Sequence, residues 1–200
     1  MHFFPFHSHL PALYTYTMNQ LIDNKNTKGT LTVSKFPMDS AQSYQLSESL
    51  PWVKDILLEL NENADSKLPE EYLEDSFIHA DIVVEKKFKQ TYGEYLLVSG
   101  TVKTEYFTQC VRNLNEMKDN LEVEFKACYL DGVHEENDEL QDQVDIFMDG
   151  DVHELYFYEN RVANIKLLIH EQIYLNYNQY PVSDYDAELN WSKDTTSTKQ

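Results

Sequence analysis

Two hundred residues, 42% of them hydrophobic, are enough for one domain with a real core. The 35 acidic side chains outnumber the 16 basic ones and leave a formal net charge of -19, which repels phosphate backbones over most of the surface. That balance argues against DNA and against non-specific RNA binding, and it favours basic partners. No apolar run is long enough to cross a bilayer as a helix, and the two cysteines, Cys110 and Cys128, make neither a disulfide framework nor a zinc quartet.

The start, MHFFPFHSHLPALYTYTMNQL, lacks the basic region and long apolar stretch of a secretory signal. Residues 1–27 read as an irregular, aromatic-rich leader, with Met18 as an alternative start and a cytoplasmic address as the default. A leader of this kind accounts for His2, His7 and His9 better than a metal site does. GTLTVSKFP, 29–37, has strand composition and ends at Pro37. Leu46, Leu50, Val53, Leu57 and Leu60 then recur at spacings of four and three, one face of a helix. Its firm part is about 50–61, with Pro51 in the first turn and Ser47 or Ser49 as cap. A polar linker, NENADSKLPEEYLED, follows.

Residues 76–131 read as a meander. SFIHADIVVEKKFKQ presents Phe77, Ile82, Val84 and Phe88. After the TYGEY turn, YLLVSGTVKTEYFTQC suits a strand carrying Leu97, Val102, Tyr106 and Thr108 and bent near Gly100. VRNLNEMKDN is a connection. LEVEFKACYL, 121–130, puts Leu121, Val123, Phe125 and Ala127 on one side. With no crossover helix between them, these strands are antiparallel neighbours.

Residues 131–159 hold eleven acidic side chains and no Lys or Arg, the pattern of a solvated loop or an interaction arm. DIFMDGDVHE fails the calcium-loop register, with one acid before its glycine. Val162, Ile165, Ile169 and Ile173, extended by Tyr177, line one face of a last helix capped by Asn160 and ended by Asn176, Asn178 and Pro181. The polar tail, 184–200, reads as disordered. The expected fold is therefore α+β: an antiparallel meander with one helix in the N-terminal half, one C-terminal helix, and an acidic loop between the last strands. Residues 28–183 form the single domain.

HEQIYLNYNQYP, 170–181, opens like a zinc-protease helix, but Tyr174 stands where a second histidine is required. No second catalytic carboxylate, Ser-His arrangement or Gly-rich phosphate loop accompanies it. Instead, Glu171, Ile173, Leu175, Tyr177 and Pro181 follow the order E-x-I-x-L-x-Y-x-x-x-P. GTVKTEYFTQCVRNL adds Gly100, Val102, Cys110, Arg112 and Leu114 in a G-x-V…C-x-R-x-L order. The two blocks, with the acidic segment between them, resemble the YceD-type large ribosomal RNA subunit accumulation proteins over roughly residues 80–183. The chain departs from that pattern at Asn178, where the family has a proline, and at Asn113, where it often has a second cysteine. The late family cysteine is also missing, so one Cys with an Arg and an Asn cannot close a zinc site.

The resemblance implies a non-enzymatic factor for 23S ribosomal RNA accumulation and large-subunit biogenesis, acting by binding and without a cofactor. Its implied binding residues are Cys110, Arg112, Glu171, Ile173, Leu175, Tyr177 and Pro181. The implied partner is a pre-large-subunit particle or a basic ribosomal protein, engaged by the acidic segment 131–159. Arg112 and the Lys86, Lys87 and Lys89 cluster are candidates for a local RNA contact, set against a strand edge guarded by charge. Two rivals stand beside this reading. One is an acidic interaction module, a chaperone or inhibitor of a basic partner unrelated to ribosomes; the other is a metal-dependent hydrolase using the His, Asp and Glu side chains of 134–154.

Overall fold

Side-chain alternation builds the central strands. β3 (Phe77–Lys89) buries Ile78, Ala80, Ile82 and Val84, and β4 (Gly93–Gln109) buries Val98, Val102, Thr104 and Tyr106. β5 (Glu116–Asp131) contributes Phe125, Ala127 and Tyr129 to the same face. The antiparallel registers place Ile82 beside Gly100 and Gly100 beside Phe125, which carries that face across three strands without a slip. A computed structural model describes residues 29–64, 66–140 and 142–183. The leader with His2, His7, His9 and Met18, and the tail from residue 184, lie outside the described residues.

The chain is α+β, mostly strand with two helices. Its main sheet has six strands in the order β2-β3-β4-β5-β7-β6, where β2 is Ala41–Ser47, β6 Asp145–Met148 and β7 Asp151–Tyr158. Helices α1 (Pro51–Asn61) and α2 (Ile165–Asn176) cover one face. α1 buries Trp52, Val53, Ile56, Leu57 and Leu60, each side chain contributing about 1.5–3 kcal/mol relative to exposure. β1 (Thr30–Thr32) and β8 (Val162–Asn164) form a separate antiparallel pair.

Several expectations are corrected. Residues 131–159 are not a solvated loop: they contain β6 and β7, and β7 pairs with β5 in parallel, Ala127 beside Glu154. The reason is alternation hidden under charge. Ile146, Met148, Leu155 and Phe157 pack with Tyr95, Cys128, Leu130 and Leu140 on the second face of the sheet, while most of the carboxylates take exposed positions. Leu46 lies in β2, not on a helix, because the extended stretch 41–47 pairs with β3. Ser47 and Ser49 bond each other and neither caps α1; Pro51 at its first position needs no donor there. The strand expected at 29–37 shortens to three residues before a 3-10 turn at Val33–Lys35. The linker carries a second such turn, Pro69–Tyr72, whose Tyr72 is buried. β5 begins at Glu116, inside the expected connection.

No bulge interrupts either register at Gly100; a Cβ there would lie 2.3 Å from the Asp81 carbonyl oxygen. Leu97 points to the opposite face from Val102, Tyr106 and Thr108. The cap of α2 is Asn164, whose side chain accepts from the Leu167 N–H at 3.0 Å, and not Asn160. Asn160 and Arg161 form a turn with φ of 49° and 61°, which puts Val162 in β8. Ile165, Ile169 and Ile173 are the buried stripe, and Tyr177 is extended beyond the helix end.

Candidate functional site

The β4–β5 corner is built on Cys110. Its N–H donates to the Asn115 carbonyl and its own carbonyl accepts from Leu114, both at 2.9 Å, with Leu114 at φ 60°. The thiol is fully buried, and its sulfur accepts from the Ser183 N–H at 3.5 Å. That N–H lowers the thiol's pKa, aided by the amides of Asn113 and Arg112 and opposed by burial. The Val111 N–H donates to the Pro181 carbonyl at 2.9 Å. So the two sequence blocks, about seventy residues apart, meet backbone to backbone. One strand turn earlier, Tyr106 reaches Asp119 at 3.5 Å; burial pushes its phenol up to about 12 while the Asn178 N–H opposes that rise.

A second cluster explains Glu171. Gln172, buried on α2, donates to Glu154 Oε2 at 2.6 Å. The Tyr156 hydroxyl donates to the same oxygen at 3.1 Å, with the Glu171 carboxylate beside it. Burial first, then these carboxylates, push the Tyr156 phenol strongly up, so it remains a donor at neutral pH. Tyr129 stacks on Tyr156 with centroids 5.1 Å apart, and its hydroxyl donates to the Asn164 carbonyl. The seam ties α2 to β7 through side chains alone.

The seven predicted site residues divide by environment. Ile173 and Cys110 are core, and Pro181 is buried at the corner. Glu171 is half-buried in the seam, and Tyr177 packs edge-on against Tyr174 at 5.5 Å. Arg112 and Leu175 are exposed, Leu175 at 76%. Cys110 and Pro181 meet at the corner, Tyr177 lies against α2, and Glu171 faces the seam.

Two of the three cluster lysines are engaged by acids. Lys86 is buried against Glu94 at 3.5 Å, and Lys87 pairs with Asp149 at 2.6 Å and Glu85 at 3.2 Å. Lys89 lies 3.7 Å from the Met148 sulfur. Burial raises the Glu94 carboxyl, but the Arg161 hydrogen bond and the charges of Lys86 and Arg161 hold it below its ordinary value. Among the described residues, no three His, Cys, Asp or Glu side chains converge as a metal-ligand set. Within 134–154, His134 contacts the Tyr92 carbonyl, and His153 is buried with neither ring nitrogen bonded.

No family model, curated protein or solved structure matches the chain.

Where β7 leaves β5, a crevice of about 540 Å³ opens between Thr101, Glu124 and Lys126 on one side and Asp145 and Glu154 on the other. Lys126 is paired with Asp151. Sequence reasoning missed Glu154 and Gln172; the alternation in DVHELYFY is the signal that marks the strand carrying Glu154.

Proposed function

We propose that this chain is a non-enzymatic, YceD-like factor for 23S ribosomal RNA accumulation and large-subunit biogenesis, acting by binding a basic ribosomal protein or a pre-large-subunit particle. The observation that carries the reading is the meeting of the two family-like blocks: the Val111 N–H on the Pro181 carbonyl and the Ser183 N–H on the Cys110 sulfur. A shared corner is a physical reason for two blocks so far apart in sequence to occur in one chain. The -19 charge and the pairing of Lys86 and Lys87 with Glu94, Asp149 and Glu85 favour a basic protein over RNA as the direct contact. Arg112, exposed at the corner, is the residue best placed for a local RNA contact.

The test is affinity capture of the full chain from its own cells, with deletion of its gene in parallel. Large-subunit proteins or precursors are expected in the eluate, and 23S levels are expected to fall on deletion. Unchanged 23S RNA together with an eluate free of large-subunit components rejects the proposal. A single non-ribosomal basic protein in that eluate establishes the acidic-module alternative instead.

A further inference from the structure

β7 joins the β5 ladder only at Ala127. Before that point, Glu116 to Glu124 have β4 on one side and no backbone partner on the other among the described residues. The Cys110 N–H to Asn115 carbonyl bond fixes which groups face outward. It turns the odd residues of β5 toward β4, so the even residues aim their N–H and C=O groups away from the sheet. The Asn120 N–H, lacking a strand partner, is taken up by the neighbouring Asp119 carboxylate at 2.9 Å. An open edge of this length is a template for another strand.

We propose that this edge pairs antiparallel with the same edge of a second copy, about a two-fold axis through Leu121. Leu121 lies midway between the turn at Asn115 and the entry of β7 at Ala127. The charge pattern selects the same register. Pairing about Leu121 sets Lys118 opposite Glu124 and Glu116 opposite Lys126, each pair occurring twice. On the other face Met117 meets Phe125, and Leu121 meets its copy. Moving the axis to Asn120 keeps a Lys118–Glu122 pair but sets Glu116 against Glu124; moving it to Glu122 sets Lys118 against Lys126 and Glu122 against itself. Of these three registers, that about Leu121 is the one free of like-charge pairs, which is what a self-recognising interface requires. Within each chain Lys118 also holds Glu105 and Lys126 holds Asp151, so the new pairs extend ion networks already present. The pairing joins the two main sheets through β5, with β7 and β6 of each copy flanking the ends of the shared ladder.

Sedimentation of the full chain across a concentration series tests this. The wild type is expected to dimerise. K118E and E124K each place two like-charge pairs in the interface and are expected to weaken the dimer by about tenfold, whereas K118E combined with E124K restores complementarity and the dimer. Leu121→Cys supplies a second readout: residue 121 faces its copy as a non-hydrogen-bonded pair, with Cα atoms about 4.5 Å apart, within disulfide range. Oxidation is expected to give a covalent dimer, since Cys110 and Cys128 are buried. Circular dichroism checks that each variant keeps the wild-type fold. A chain that is monomeric up to millimolar concentration, a dimer indifferent to the single reversals, or a Leu121→Cys chain that stays uncrosslinked overturns the proposal.

Discussion

Gly100→Ala tests how closely β3 and β4 approach. The added Cβ would sit 2.3 Å from the Asp81 carbonyl oxygen and 3.0 Å from both Cα and Cγ2 of Ile82. An ordinary contact begins near 3.4 Å, so the strands must separate locally by about 1 Å. The obstruction is backbone, and β3 and β4 are both interior strands held by β2 and β5. The strain therefore belongs at the upper end of the overpacking range, about 3 kcal/mol. Reduced freedom of the unfolded chain offsets about 0.5–1 kcal/mol of it. A net loss of about 2 kcal/mol lowers the melting temperature of a chain this size by about 4–8 °C. Thermal unfolding followed by circular dichroism, with calorimetry to check a single transition, measures it. A melting temperature equal to or above wild type refutes the argument that strand proximity requires this glycine.

Other outcomes follow from the same geometry. Asn61 is fully buried, accepts from the Phe107 N–H at 2.9 Å and donates to Ser76 at 3.0 Å; Asn61→Leu strands that N–H and is expected to cost about 2–4 kcal/mol in urea unfolding. The Asp149 carboxyl is held below its ordinary pKa by the Lys87 hydrogen bond and the Tyr95 hydroxyl, against burial. A depressed folded-state pKa gives stability that is complete above the unfolded value of about 3.9 and is lost as pH falls through the folded one. Asp149→Asn should therefore lower stability at neutral pH by about 0.5–1 kcal/mol, a figure kept small because the carboxylate is 37% exposed. Urea midpoints of mutant and wild type should converge in acid; a difference that is constant with pH contradicts this assignment. Glu171→Ala and Tyr177→Ala are expected to impair complementation of a deletion strain more than any change after Pro181, and equal complementation would count against the family reading.

Legibility in the sequence followed the range of the interactions. The α1 stripe of Val53, Leu57 and Leu60 was plain because helical period is local, and so were the long alternating strands β3 to β5. Leu46 misled because a leucine four residues before Leu50 fits helical spacing as well as it fits the strand that pairs with β3. β6 and β7 were obscured by carboxylates: Asp151 and Glu154 raise the charge of a strand whose Leu155 and Phe157 still pack on Cys128 and Leu130. Glu171 stood out only through resemblance. Its Tyr156 partner, and the bond between Gln172 and Glu154, join elements whose pairing no local pattern specifies.

The β1–β8 pair has a consequence for how the chain acquires its fold. Thr30 lies beside Asn164, and the N–H groups of Ile165 and Lys166 both reach back to the Gly29 carbonyl at 2.9 Å. At a synthesis rate of about 5–20 residues per second, β1 emerges roughly 7–26 s before its partner exists. The β2 to β5 hairpins can close in the meantime, while Leu31 and Val33 wait for the segment that buries them. Closing so long a loop is among the last events of folding. The nascent chain therefore spends that interval with an unpaired strand and a sheet face covered by α1 but not yet by α2, when chaperone engagement has most to offer it.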